Sequence, residues 1–283
     1  MLCAVLESAG YVVGEANAPS GVFRGAAGDW SHLGWTNVRA FDLAVSDAGW
    51  FIGAGNGVLR SRDEGISWRV TTDWRITEVL SLHVEGSTVH AATAHGPWKS
   101  PDSGDTWRFI GDGLPPVSGS FCTWIGRGPD DQIWVGTEMG LFAKAGDGWR
   151  PAGLAGRPVR KVAVSGGEVW VATDGQGLWH STDGGAEWSP ILPGEPLYAV
   201  AASGPRIATA GYRTPVFVSG DAGATWQHLD VPATSVHALT WDAGGLWMGT
   251  NCGVFRGWGP RRGAAPRRPR PPGGHRGGVG GGG

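Results

Sequence analysis

The chain reads as an all-β protein, a seven-bladed β-propeller with six or eight blades as fallback counts. Three observations predict it. Six of its 17 tryptophans stand at Trp30, Trp68, Trp107, Trp149, Trp188 and Trp226, at spacings of 38, 39, 42, 39 and 38 residues. Each is preceded by short apolar segments rich in Val, Trp, Phe and Thr and bounded by Gly, the composition of strands. No stretch keeps a helical period over the ~10–12 residues a helix needs. A repeat of about 40 residues holding three or four short strands has the size of one propeller blade. Seven units of strands A, B and C, with A innermost, fit into residues 1–258.

The elements follow one order. Strand C lies just before the periodic Trp: GVFR from Gly21, GVLR from Gly57, GPWK from Gly96, GLFA from Gly140, GLWH from Gly177 and PVFV from Pro215. A seventh, GVFR from Gly253, has no Trp at the expected distance, so the last blade lacks a fourth strand and leaves the edge of strand C open. Strand B precedes C, as YVVGE, WFIGAG, TVHAAT, IWVGT, VWVAT, RIATA and LWMGT. Strand A comes first, for example FDLAVS from Phe41, the run from Val79 to Glu85, KVAVS from Lys161, YAVAAS from Tyr198 and VHALTW from Val236.

Composition narrows the function classes. Hydrophobic residues make up 41% of the chain, enough for a sizeable core, and charged residues only 17%, too few for a coiled coil. The net charge of -2 hides a split. Residues 259–283 hold ten Gly, five Pro, six Arg and no acid, which predicts a disordered tail; residues 1–258 then carry 17 Lys+Arg against 25 Asp+Glu, a net of -8. An acidic body has no electrostatic reason to bind nucleic acid, which leaves the basic tail as the one segment suited to it. Cys3, Cys122 and Cys252 form no metal motif, and Cys122 reads as a buried apolar residue. No cofactor is expected. No apolar run approaches the ~18 residues of a membrane helix. The start MLCAVLESAG has no basic region, so as written the chain is expected in the cytoplasm, or outside the cell if the true start lies upstream.

Four repeats share a motif between strand C and the Trp: SRDEGISW from Ser61, SPDSGDTW from Ser100, STDGGAEW from Ser181 and SGDAGATW from Ser219. Eroded copies end at Trp30 and Trp149. In this Ser-x-Asp-x-Gly-x-x-Trp pattern a short Asp side chain accepts from turn N–H groups that lack ladder partners. The Gly supplies a positive φ, and the Trp anchors the turn by burial. The pattern therefore reads as a structural staple rather than as a catalytic or calcium site. It resembles the Asp-box, or BNR, repeat of sialidase-like propellers, over nearly all of residues 1–258.

The resemblance implies a ligand face made by the B–C and D–A loops around the channel. Candidate ligand-binding residues there are His95, Glu138, Asp174, Tyr212 and Arg213 on B–C loops, and Trp35, Arg39, Arg75 and Arg160 on D–A connections. Aromatic faces and charged groups of this kind suit a glycan or a protein ligand. Similarity to sialidases implies three Arg, a Tyr nucleophile with a Glu partner, an Asp acid/base and an Arg-Ile-Pro motif. The chain has no Arg-Ile-Pro and three Tyr, of which Tyr11 and Tyr198 fall in strands, so only Tyr212 suits the role. Similarity to xyloglucan-cleaving glycoside hydrolases implies a carboxylate pair, for which Glu138 and Asp174 on adjacent blades are the candidates. Similarity to the single-propeller photosystem II assembly factors implies a binding platform. The sequence thus favours a non-catalytic protein- or ligand-binding scaffold, with a glycoside hydrolase of the sialidase or xyloglucanase type as the alternative.

Overall fold

A computed structural model describes residues 2–6, 21–26, 29–33, 40–116 and 120–258. Among these the chain is all β, without a helix, and no helix is long and apolar enough to cross a membrane. β1 (Leu2–Leu6), β2 (Gly21–Ala26) and β3 (Asp29–His32) form a small antiparallel sheet. Six further antiparallel sheets follow, each a meander from strand A to the rim. Blade 1 is β4 (Ala40–Ser46), β5 (Gly49–Ala54), β6 (Gly57–Ser61) and β7 (Arg69–Val70). Blade 2 is β8 (Val79–Glu85), β9 (Thr88–Thr93), β10 (Gly96–Ser100) and β11 (Arg108–Phe109). Blade 3 is β12 (Cys122–Arg127), β13 (Ile133–Thr137), β14 (Gly140–Ala145) and β15 (Gly148–Gly153). Blade 4 is β16 (Val159–Ser165), β17 (Glu168–Thr173), β18 (Gly177–Ser181) and β19 (Ser189–Leu192). Blade 5 is β20 (Leu197–Ser203), β21 (Arg206–Gly211), β22 (Val216–Ser219) and β23 (Gln227–Leu229). Blade 6 is β24 (Val236–Asp242), β25 (Gly245–Thr250) and β26 (Gly253–Gly257), with no fourth strand among the described residues.

The propeller thus has six blades, the lower fallback count, and not the expected seven. Of the first A–B–C unit of the sequence, the expected strand B, YVVGE, lies outside the described residues, and the small sheet β1–β3 comes from the segments on either side of it. Of its described side chains, Val22 packs with Ile52, Ala54 and Leu59 of blade 1, and Leu33 lies against that cluster. A periodic Trp and a Gly-bounded apolar run mark a hairpin, but they do not state whether the sheet is sandwiched between two neighbours. The tail at 259–283 lies outside the described residues.

One contact joins each blade to the next. The first residue of strand A presses on a small residue near the end of the preceding blade's strand B. A Cβ on Gly53 would stand 2.6 Å from the Val79 carbonyl oxygen, and one on Gly136 would stand 2.5 Å from Val159 Cγ1. Ala92 with Cys122, Ala172 with Leu197, and Ala210 with Val236 repeat the pairing within shared apolar clusters. Val79, Cys122, Val159 and Leu197 are fully buried. Cys122 is accordingly an apolar knob, as its sequence context suggested, and burial pushes its thiol up to about 12.

The four Ser-x-Asp-x-Gly-x-x-Trp turns fold alike. The Gly65, Gly104, Gly185 and Gly223 N–H groups donate to the Ser Oγ four residues back at 2.7–2.8 Å. The Asp Oδ1 accepts from the backbone N–H four residues on at 2.7–2.9 Å. Each Trp Nε1 donates to the turn Gly carbonyl at 3.0–3.1 Å. The glycines have φ between +83° and +94°, so the positive-φ reading of the sequence holds. The eroded copy at Trp149 is different: Ala145 pairs with Gly148 across a two-residue hairpin, and Trp149 Nε1 donates instead to the Ile110 carbonyl of blade 2 at 2.6 Å. The side chain of Trp30 lies outside the described residues.

Two predictions follow from this architecture. Gly136→Ala should cost about 1–3 kcal/mol by overpacking, and adding Val159→Ala should restore part of the loss, measured by urea unfolding; strictly additive losses would refute the contact. The second concerns acid. Hydrogen bonds from Ser67, Thr106 and Thr225 hold the carboxyls of Asp63, Asp102 and Asp221 at about 2, and the Glu187 N–H lowers that of Asp183. A carboxyl lowered on folding stabilises above its unfolded value, near 3.9, and loses that contribution as pH falls through the folded value. The melting temperature should therefore drop between about pH 4 and pH 2. Asp183→Ala should lower it at neutral pH, and the triple variant Asp63→Asn, Asp102→Asn, Asp221→Asn should flatten the acid slope.

Candidate functional site

The strand order puts the B–C loops and the starts of the A strands on one face, around the axis that the six A strands line in succession. Each A strand begins with the same irregularity. Pairing with strand B skips one residue between Ala40 and Asp42, Val79 and Ser81, Cys122 and Trp124, Val159 and Lys161, Leu197 and Ala199, and Val236 and Ala238. The extra residues are Phe41, Leu80, Thr123, Arg160, Tyr198 and His237. A β-bulge re-aims the side chain it carries. Here it follows directly on the buried knob, so the knob fixes the blade while the bulged residue is left to the loop face.

Arg160 shows what this does. Its guanidinium donates to Glu138 Oε1 at 3.1 Å and to Asp174 Oδ2 at 2.5 Å, and so joins the B–C loops of blades 3 and 4. All three side chains are about a third exposed or less. Thr123 also bridges blades, donating to the carbonyls of Gly136 and Val159. His237 Nε2 lies 2.8 Å from Ser235 Oγ.

The remaining candidates form separate groups. Tyr212 is 43% exposed, and the Arg213 guanidinium lies 5.1 Å from its ring centre. Arg213 has φ +54°, uncommon for a residue with a Cβ, and its N–H donates to the Thr234 carbonyl at 2.7 Å. His95 is exposed on the B–C loop of blade 2. Arg75 bonds Asp73 at 2.6 Å on the connection from blade 1 to blade 2, next to Trp74, which is 85% exposed. Trp35 and Arg39 lie outside the described residues. The structure therefore gathers Glu138, Arg160 and Asp174 into one ionic group and Tyr212 with Arg213 into another, without joining Arg75 or His95 to either. Among the described residues no set of three His, Cys, Asp or Glu could hold a metal ion. The sequence places Tyr198 at the start of strand A, as β20 has it, and the bulge there puts it at the ring position that Arg160 and His237 occupy in their own blades.

No protein-family model matches the chain, and no curated protein does. Solved structures share its fold. The extracellular domain of a hybrid two-component system from B. thetaiotaomicron is 16% identical, with a TM-score of 0.72 over 83% of this chain and 35% of that one. The GH74 xyloglucanase from Xanthomonas campestris is 19% identical, with a TM-score of 0.70 over 88% of this chain and 50% of that one. YCF48 bound to a D1 peptide is 15% identical, with a TM-score of 0.63 over 81% of this chain and 83% of that one. The chain thus spans about a third to a half of the first two. At these identities the likeness is one of fold.

The ionic group yields a prediction. Arg160→Met should leave Glu138 and Asp174 facing each other without their shared cation and lower stability by about 1 kcal/mol. Glu138→Gln in that background should recover part of the loss in a double-mutant cycle; independent effects would show that the bridge has no energetic weight.

Proposed function

We propose that the chain is a non-catalytic binding propeller of the Asp-box (BNR) type, built by residues 1–258, which takes a protein or glycan ligand on its B–C/D–A loop face. Residues 259–283 are a separate basic tail on this reading. One observation carries the proposal. The carboxylate pair that a glycoside hydrolase would need, Glu138 and Asp174, is bridged by the Arg160 guanidinium. A catalytic carboxylate pair requires the scissile bond between its two members. Here a cation fills that gap. The exposed Tyr212 with Arg213 above it has instead the character of a rim contact, since Tyr and Arg are enriched where proteins bind proteins. The similar length of the peptide-bound YCF48 supports the same reading.

The glycoside hydrolase remains the second reading, because xyloglucanases of family GH74 share the fold. The two separate cleanly. A panel of fluorogenic glycosides should give no turnover. A selection of random peptides on the immobilised protein should yield binders whose Kd rises about tenfold or more, or 1.4 kcal/mol, in Tyr212→Ala and Arg213→Ala. Glycoside turnover abolished by Glu138→Gln or Asp174→Asn would replace the binding proposal with the enzymatic one.

A further inference from the structure

Blade 2 differs from its neighbours on the surface it turns toward blade 3. Cross-strand partners share one face of a sheet. The registers His83 with His90, His90 with Lys99 and Lys99 with Arg108 set four basic residues in a line across β8, β9, β10 and β11. At the position of His90 the other blades hold Phe51, Trp134, Trp170, Ala208 and Trp247.

In blades 3 and 4 that residue closes the seam to the next blade. A Cβ on Gly185 would lie 2.7 Å from Trp134, and one on Gly223 would lie 2.6 Å from Trp170, so the Trp ring packs flush on the next blade's turn glycine. At the seam between blades 2 and 3 both partners are replaced. His stands for Trp, and the two-residue hairpin Ala145–Gly148 stands for the long turn. His90 is 95% buried, and its Nδ1 has no hydrogen-bond partner. The His83 and His90 ring centres are 6.2 Å apart. From blade 3, Lys144 and Arg127 act on the same row.

Like charges on directly opposite strands are destabilising. Three carboxylates face the group: Glu85, Asp112 and Asp147. Glu85 already accepts from Arg127, whose Nε donates to it at 2.5 Å, and lies 3.1 Å from His83 Nε2. Four cations, Lys99, Arg108, Lys144 and Arg127, stand against these three carboxylates.

We propose that the seam between blades 2 and 3 is a binding site for a small phosphate-type oxyanion, held by Lys99, Lys144 and Arg108 with His83 and His90 behind them. The site lies apart from the Arg160 and Tyr212 groups and does not depend on the function assigned to them.

The test is an NMR titration of the histidine ring resonances with inorganic phosphate at about pH 7. Saturable shifts of His83 and His90 are expected, with competition by sulfate and about tenfold weakening of Kd in Lys99→Met and in Lys144→Met. His90→Phe, carrying the aromatic that blade 1 has at this position, should fold and keep the saturable shift of His83. Absence of saturable shifts, equal shifts with chloride at matched ionic strength, or unchanged affinity in the two folded lysine variants would each overturn the proposal.

Discussion

The fold depends on a steric fit repeated from blade to blade: an apolar knob at the head of each strand A, seated on a glycine or alanine of the preceding strand B. Val79 on Gly53 and Val159 on Gly136 are its closest instances. The contact is short-range and buried, so it fixes the spacing and stagger of adjacent sheets at once. Close-packed interiors tolerate little change of volume. That intolerance is why the small residue recurs although strand propensity would favour a larger one there. The bulge follows from the same fit. Once the knob is seated, the pairing of strand A with strand B has one residue to spare, and that residue leaves the ladder at the loop face.

The two faces of the propeller are consequently built under different constraints. On the turn face, Ser, Asp, Gly and Trp satisfy one another within eight residues, and both oxygens of the Asp carboxyl accept hydrogen bonds from the turn itself. A carboxylate engaged at both oxygens by its own turn has less to offer a ligand. Blades are also clamped there, as where the buried Arg60 donates to the Ser103 carbonyl and to Asp105 of the next blade. On the loop face the equivalent positions hold Phe, Leu, Thr, Arg, Tyr and His, with no shared hydrogen-bond scheme. Identity at equivalent positions marks the scaffold, and difference marks the surface free to be specialised.

This division also explains what could be read from the sequence. The Trp period, the turn chemistry and the buried role of Cys122 were legible because each is local: eight residues contain the whole turn. The pairing of Glu138 with Asp174 was approached through adjacent blades, but Arg160 between them was not seen, since a bridge of two loops by a third strand is a tertiary fact. The bulge was invisible for a simpler reason. Tyr198 sits in an apolar run that alternates like any strand, and a one-residue slip leaves no mark in composition. The blade count was one too high because a repeat in the sequence does not by itself state that its strands form a blade.

Departures from the repeat are informative in proportion to how local the repeat is. The turn at Ala145–Gly148 loses its staple, yet Trp149 stays buried by donating to Ile110 of blade 2. The scaffold there has been rebuilt between blades rather than within one. The basic row of blade 2 faces that rebuilt hairpin across the same seam. Two neighbouring elements have left the pattern here, one by losing a long turn and the other by holding His90 where blades 3, 4 and 6 hold Trp. Their meeting at a single seam places the loss of apolar closure and the gain of charge at one position in the ring.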